Sequence, residues 1–261
     1  MPTPSAESFS ALARSSPWLW STLRFTARGL PDQGFPPVRA WLRRPDRLRV
    51  EALDGQLRQI VRQAGPAVAV LSSHGGFPRD AVPDGPLLRA DGLVERRPGD
   101  RWAYDAPMYQ NYRWVALLDP LELADGIDRD TGATVPALVV DDVREVEHGG
   151  RPAWEAVVRT TPAYEPRCGC CSLLRSLEVD IQEFGPRSEH VLEDYPELHR
   201  VRLDVETGVC VSAEGIGDRG WGRGHDVRIE AVDEPMADAL FVEPPRAPFR
   251  RRGWAQYPGP T

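Results

Sequence analysis

The chain has 261 residues, 41% of them hydrophobic and 27% charged, with a formal net charge of −7 and a pI near 5.4. This length and balance support a sizeable core and exclude a disordered or fibrous chain, and the acidic balance argues against bulk nucleic-acid binding. All 32 basic residues are arginine, which excludes lysine Schiff-base chemistry, while 26 prolines and 23 glycines favour short strands and turns over long helices.

The charge is polarised: residues 1–65 carry ten arginines against five acids, a net of +5, hence −12 for the remainder. "SAESFSALARSSPWLW" predicts a short helix from Ala6 to about Ala13, ended by Pro17. Strands follow with a period of two: Leu23, Phe25 and Ala27 in "TLRFTAR", then Val38, Ala40 and Leu42 in "VRAWLR". "RLRVEALDGQLRQIVRQ" predicts a hairpin with a two-residue turn at Asp54-Gly55. These four strands form a meander whose other face is crowded with arginines, among them Arg24, Arg39, Arg43, Arg49 and Arg62.

"GPAVAVL" suits a fifth strand, but residues 66 to 114 otherwise predict a long surface insertion. "DPLELADG" suits one or two helical turns. Strands return as a hairpin turning at His148-Gly149-Gly150, a second turning at Glu206-Thr207-Gly208, and "HDVRIEAV", with Val227, Ile229 and Ala231 inward. A short helix from about Pro235 to Leu240 closes a domain of residues 1–242, and a proline- and arginine-rich tail occupies 243–261. The expected fold is mainly β (α+β): one curved antiparallel sheet forming an incomplete barrel. Its apolar face would be covered by residues 1–18, 118–126 and 235–240.

"VRAWLRRPDRLRVEALDGQLRQIVRQAG", with the phrase Pro45, Asp46, Arg47, Leu48, Arg49, Val50 and Glu51, resembles the strand-and-hairpin segment of the outer-membrane lipoprotein carrier superfamily. These are the LolA-like half-barrels, which include the sigma-E regulator RseB. "DPLELADG", "GGRPAWEAVVR" and "VRLDVETGVCV" are similar to actinobacterial relatives of that group. The resemblance implies a concave apolar face that holds an acyl chain or a protein segment. Neither a secretory signal nor a membrane span stands out, so the expectation is a cytoplasmic protein with reduced cysteines.

The densest chemistry is "RCGCC", which holds Cys168, Cys170 and Cys171. In an extended segment Cys168 and Cys170 would point one way and Cys171 the other. Zinc, the metal such ligands would take, needs four, and Cys210, His190 or His199 would complete the set; strand parity with Val209 and Val211 points Cys210 to the polar side. Redox chemistry and plain packing are the competing roles for these thiols. "GIGDRG" (Gly215, Gly217, Gly220) follows a hairpin and precedes a strand, so it reads as a loop and not as a phosphate cradle. "SHGGF" (His74–Phe77) has no nucleophile elbow to accompany it and reads as a glycine turn. The five histidines are dispersed, and no nucleophile, base and orienting residue emerge together. The tryptophans, including Trp18, Trp20, Trp102, Trp114, Trp154 and Trp221, would line a greasy cavity or fill the core.

Three functions follow as expectations. The first is a non-enzymatic module that binds an apolar ligand or protein segment. The second is a metal- or thiol-dependent protein centred on Cys168–Cys171, and the third is a regulatory module that uses the arginine-rich face.

Overall fold

A computed structural model describes residues 2–28, 36–62, 85–217 and 224–243. Its centre is a nine-stranded antiparallel sheet that does not close into a barrel, in the order β4-β3-β2-β1-β13-β12-β11-β10-β9. One meander supplies β1 (Thr22–Arg28), β2 (Val38–Arg43), β3 (Arg47–Ala52) and β4 (Leu57–Arg62). The other supplies β9 (Leu138–His148), β10 (Arg151–Thr160), β11 (Leu198–Asp204), β12 (Cys210–Ile216) and β13 (His225–Val232). The first and last strands join the halves: β1 pairs with β13, with Phe25 opposite Ile229 and Ala27 opposite Val227. Two ribbons lie between the meanders, β5 (Leu87–Leu88) with β6 (Val94–Arg96) and β7 (Asp125–Ile127) with β8 (Thr134–Pro136). No helix among the described residues is long and apolar enough to cross a membrane.

The turns follow their residues. Gly149 and Gly150, both at positive φ, make the two-residue link that places His148 opposite Arg151. At Asp54-Gly55 the expected two-residue turn is corrected to a longer one. Ala52 N–H donates to Gln56 O, Gly55 N–H donates to Ala52 O, and Gly55 takes φ +86°, the three-residue loop with a left-handed residue. Gly208 is required twice over, because its φ is +68° and a Cβ there would stand 2.6 Å from Leu12 O.

Leu12 belongs to α1 (Ala6–Leu19), which runs past Pro17 instead of ending at it. Proline has no N–H for the Ala13 carbonyl, and Arg97 supplies the replacement: its Nη2 donates to Ala13 O at 3.4 Å and its Nε to Arg14 O at 2.8 Å. The core lies between α1, the sheet and α2 (Tyr112–Leu118), where Phe9, Leu12, Phe25, Trp114 and Leu117 are all fully buried. The insertion therefore contributes the β5–β6 ribbon to the cover, and its end runs into helix α2. Val94 N–H of that ribbon donates to Ser15 Oγ at 2.8 Å.

The third expected covering element goes elsewhere. Residues 238–241 form a 3-10 turn on the arginine face: Arg43 Nη1 donates to Met236 O, Arg49 Nη1 to Leu240 O and Arg62 Nε to Phe241 O. Other arginines of the sheet pair with acids across it, Arg24 and Arg39 with Glu230, Arg144 and Arg202 with Glu155. The expected fifth strand "GPAVAVL", the "SHGGF" turn and most of the C-terminal tail lie outside the described residues, as do Gly220 and Trp221.

Candidate metal centre

Cys168, Cys170 and Cys171 come together at a 3-10 turn over Gly169–Cys171. Their Sγ atoms all lie within 4.8 Å of one another, with 2.8 Å between Cys168 and Cys170. The extended geometry expected for this segment is thus corrected. In a 3-10 turn residues i and i+3 eclipse, so Cys171 stacks back toward Cys168, and its N–H meets the Cys168 carbonyl at 3.4 Å. Cys170 is exposed, Cys168 half-buried and Cys171 buried, so the cluster opens to solvent on one side.

Gly169 lets α3 (Leu177–Phe184) close on the turn, since a Cβ there would stand 2.7 Å from both the Cβ and Oε2 of Glu183. Glu183 is therefore the carboxylate beside the open side of the thiols. The helix itself starts at Ser176, whose side chain accepts the Val179 N–H.

The loop carrying the thiols is wrapped around one buried carboxylate. Glu122, fully buried after Pro120, accepts Arg167 N–H at Oε2 (3.3 Å), and at Oε1 it accepts Leu173 N–H (2.9 Å) and the Tyr164 hydroxyl (2.7 Å). Tyr164 in turn accepts Leu174 N–H at 3.1 Å. Burial and the Glu122 charge hold the Tyr164 phenol well above its ordinary pKa, so it stays a donor. Arg167 reaches inward, with Nε on Asp105 Oδ1 at 2.8 Å and Nη2 on Asp119 Oδ2 at 2.7 Å. Arg97 also donates to Asp119. Burial alone would raise the Asp119 pKa, but Arg97 and Arg167 overcome that and hold it below the usual range. Both ends of "RCGCC" are thereby fixed before any ligand arrives.

Burial, then hydrogen bonding to Cys168, pushes the Cys170 thiol up to about 11, and the same causes push Cys171 higher still. At neutral pH these are protonated thiols, poor nucleophiles that yield their protons only to a strong Lewis acid.

Cys210 does not join them. A register shift in the β11–β12 pairing sets it opposite Leu203, so it faces the core instead of the polar side, with Sγ donating to Ser212 O at 3.5 Å. Burial pushes this thiol up to about 12. His190 lies against the Phe184 ring and His199 is buried on β11; both stand outside the three-thiol group. Of the four cysteines read from the sequence as ligands, three cluster. Glu122 and Glu183 carry no pattern of their own; only the acidic first turn after Pro120 hints at the former.

Beneath the cluster, Arg113 of α2 donates Nη1 to Ser172 O, and its Nη2 lies 3.5 Å from His225 Nδ1, whose Nε2 meets Cys210 O at 2.8 Å. Burial, with Arg113 adding to it, lowers His225 to about 3 and His199 to about 4. Folded-state values below the ordinary 6.5 mean that the unfolded chain binds these protons first, so stability falls as pH drops below about 6.5. Asp105 opposes this, because burial pushes it up to about 6 and its folded form gains a proton over the same interval. From pH 7 to pH 5 each histidine withdraws about 2 kcal/mol and Asp105 returns about 1 kcal/mol. Urea denaturation at the two pH values should show a net loss of about 3 kcal/mol, and His225→Asn should shrink it; a flat profile contradicts this.

A scan against protein-family models finds no match to the chain, and a search of the curated proteins finds none.

Proposed function

We propose that this protein binds a thiophilic d10 metal ion, zinc foremost, through Cys168, Cys170 and Cys171, with the fourth position open to Glu183, water or an exogenous ligand. The observation that carries this is the convergence of three sulfurs within 4.8 Å on a loop anchored at both ends by Glu122. Tetrahedral binding at ~2.3 Å from each sulfur sets sulfur-sulfur separations at about 3.8 Å, so Cys168 and Cys170, 2.8 Å apart, must open by about 1 Å and the widest pair must close by up to about 1 Å, movements that a side-chain rotation at each thiol supplies. Three thiolates suit a soft or borderline cation, and three protein ligands with one vacant position suit an ion that is exchanged or that polarises a ligand.

The expected result is one zinc per chain in native mass spectrometry of protein purified without chelator, lost on denaturation. It should be absent from Cys168→Ser/Cys170→Ser with the circular dichroism unchanged. Because all three thiols must each release a proton to bind as thiolates, the apparent zinc affinity should rise about a thousandfold per pH unit between pH 6 and 8. An intact double variant that retains the metal, or a pH-independent affinity, would sink the assignment.

The open sheet with helices on its apolar face supports a LolA-like relationship, and with it a ligand between sheet and helices. Such a ligand would have to displace Phe9, Leu12 and Trp114, which fill that space. The thiol site needs no such rearrangement and is the stronger basis for function.

A further inference from the structure

We infer that the cleft beside α1 binds a small molecule bearing a phosphate or carboxylate group. The cleft has a volume of about 550 Å³, within the range of small-molecule sites, and its lining comes from α1, both small ribbons and the chain between them. Arg14, Arg96, Arg97 and Arg101 line it against two carboxylates, Glu95 and Asp125, and Leu121 and Ile127 add apolar surface.

The arginines are not equally committed. Arg14 is paired with Asp125, Nε to Oδ1 at 2.8 Å, and Arg97 with Asp119. Arg101 donates Nη2 to the Asp125 and Glu165 carbonyls, and its Nη1 stands 3.8 Å from the Glu165 carboxylate. Its Nε is buried with no acceptor among the described residues. Arg96 is exposed and has no acidic partner among them. The buried Arg101 Nε is shielded from the cleft, so it is Arg96, exposed on the lining, that offers its guanidinium fork to an oxyanion, with Arg101 adding positive charge to the same lining. Burial also pushes Arg101 below its ordinary pKa, a penalty that a bound anion would offset.

The site carries its own reporter. Arg101 lies over the Trp102 ring at 4.7 Å from the centroid, and Arg167 lies over the same ring at 4.3 Å. Intact protein is titrated with inorganic phosphate, pyrophosphate and citrate, each at constant ionic strength set with sodium chloride, while tryptophan fluorescence is followed. A saturable change is expected with at least one of the three, weakened at least about tenfold in both Arg101→Gln and Arg96→Gln, the loss of one charge-assisted hydrogen bond. Saturation by the phosphates alone assigns a phosphate ligand; saturation by citrate alone assigns a carboxylate. Arg96 is exposed, so its variant keeps the test meaningful if Arg101→Gln fails to fold. No saturation by any of the three, or Arg96→Gln binding like the parent, overturns the site. Arg167, next to Cys168, lies over the same reporter ring, so the titration is run on protein first freed of metal with a chelator, which keeps the result independent of metal binding.

Discussion

Glu122→Ala is expected to destabilise the fold by about 3–5 kcal/mol and to abolish tight zinc retention. The carboxylate is fully buried and serves the Tyr164 hydroxyl, two backbone N–H groups and, at 4.0 Å, the Arg167 guanidinium. Its removal strands the Tyr164 hydroxyl and both backbone N–H groups in a dry interior, while Arg167 keeps Asp105 and Asp119, and three buried donors left without an acceptor have a cost of this size. The two backbone donors belong to Arg167 and Leu173, which bracket the thiols, so the geometry of "RCGCC" is lost along with the stability. Glu122→Gln separates the two effects: an amide oxygen still accepts from Tyr164 and Leu173, while its NH₂ faces the Arg167 N–H. It should lose about 1–3 kcal/mol and weaken zinc without eliminating it. Urea denaturation and zinc competition against a chromophoric chelator read the two quantities. A Glu122→Ala protein with parental midpoint and parental affinity would remove this carboxylate from the account of the site.

The large sheet was legible in the sequence because its strands alternate. Leu23, Phe25 and Ala27, or Val227, Ile229 and Ala231, announce both the strand and the inward face. Helix α2 was not legible, since "YRWVALL" is buried from Arg113 to Leu118 and so shows no amphipathic period. Pro17 was misleading for a related reason. Local propensity ends a helix before proline, and only the distant Arg97, which takes the freed carbonyl, permits its continuation. The fate of residues 235–240 was hidden as well. Three arginines that alternation assigned to a solvated face donate to main-chain carbonyls and draw that segment onto their own side. At the thiols, sequence spacing picked out the three cysteines that cluster but assumed a strand. The turn that makes three sulfurs converge depends on Glu122, some 45 residues upstream of Arg167.

Trp114→Ala should lose about 3–5 kcal/mol, the cost of deleting a large aromatic from a packed core that only partly collapses. The indole is wholly buried, with Phe25 at 5.2 Å and Tyr109 at 5.3 Å between ring centroids, and α2 holds it against the apolar face of the sheet. Trp114→Phe, which keeps an aromatic ring in the same place, should lose less than half as much. The truncation also tests what the concave face is for. A LolA-like carrier must hold its ligand between sheet and helices, where this protein has Trp114, Phe9 and Leu12. If that space is closed, the parent protein gives no saturable signal with an apolar fluorescent probe or a medium-chain fatty acid. Trp114→Ala, if it remains folded by circular dichroism, gains a cavity lined by apolar side chains and takes up such a probe. Saturable uptake by the parent at the same affinity as the variant would mean that the helices open over the sheet on their own. An apolar ligand would then replace the metal as the first function to pursue.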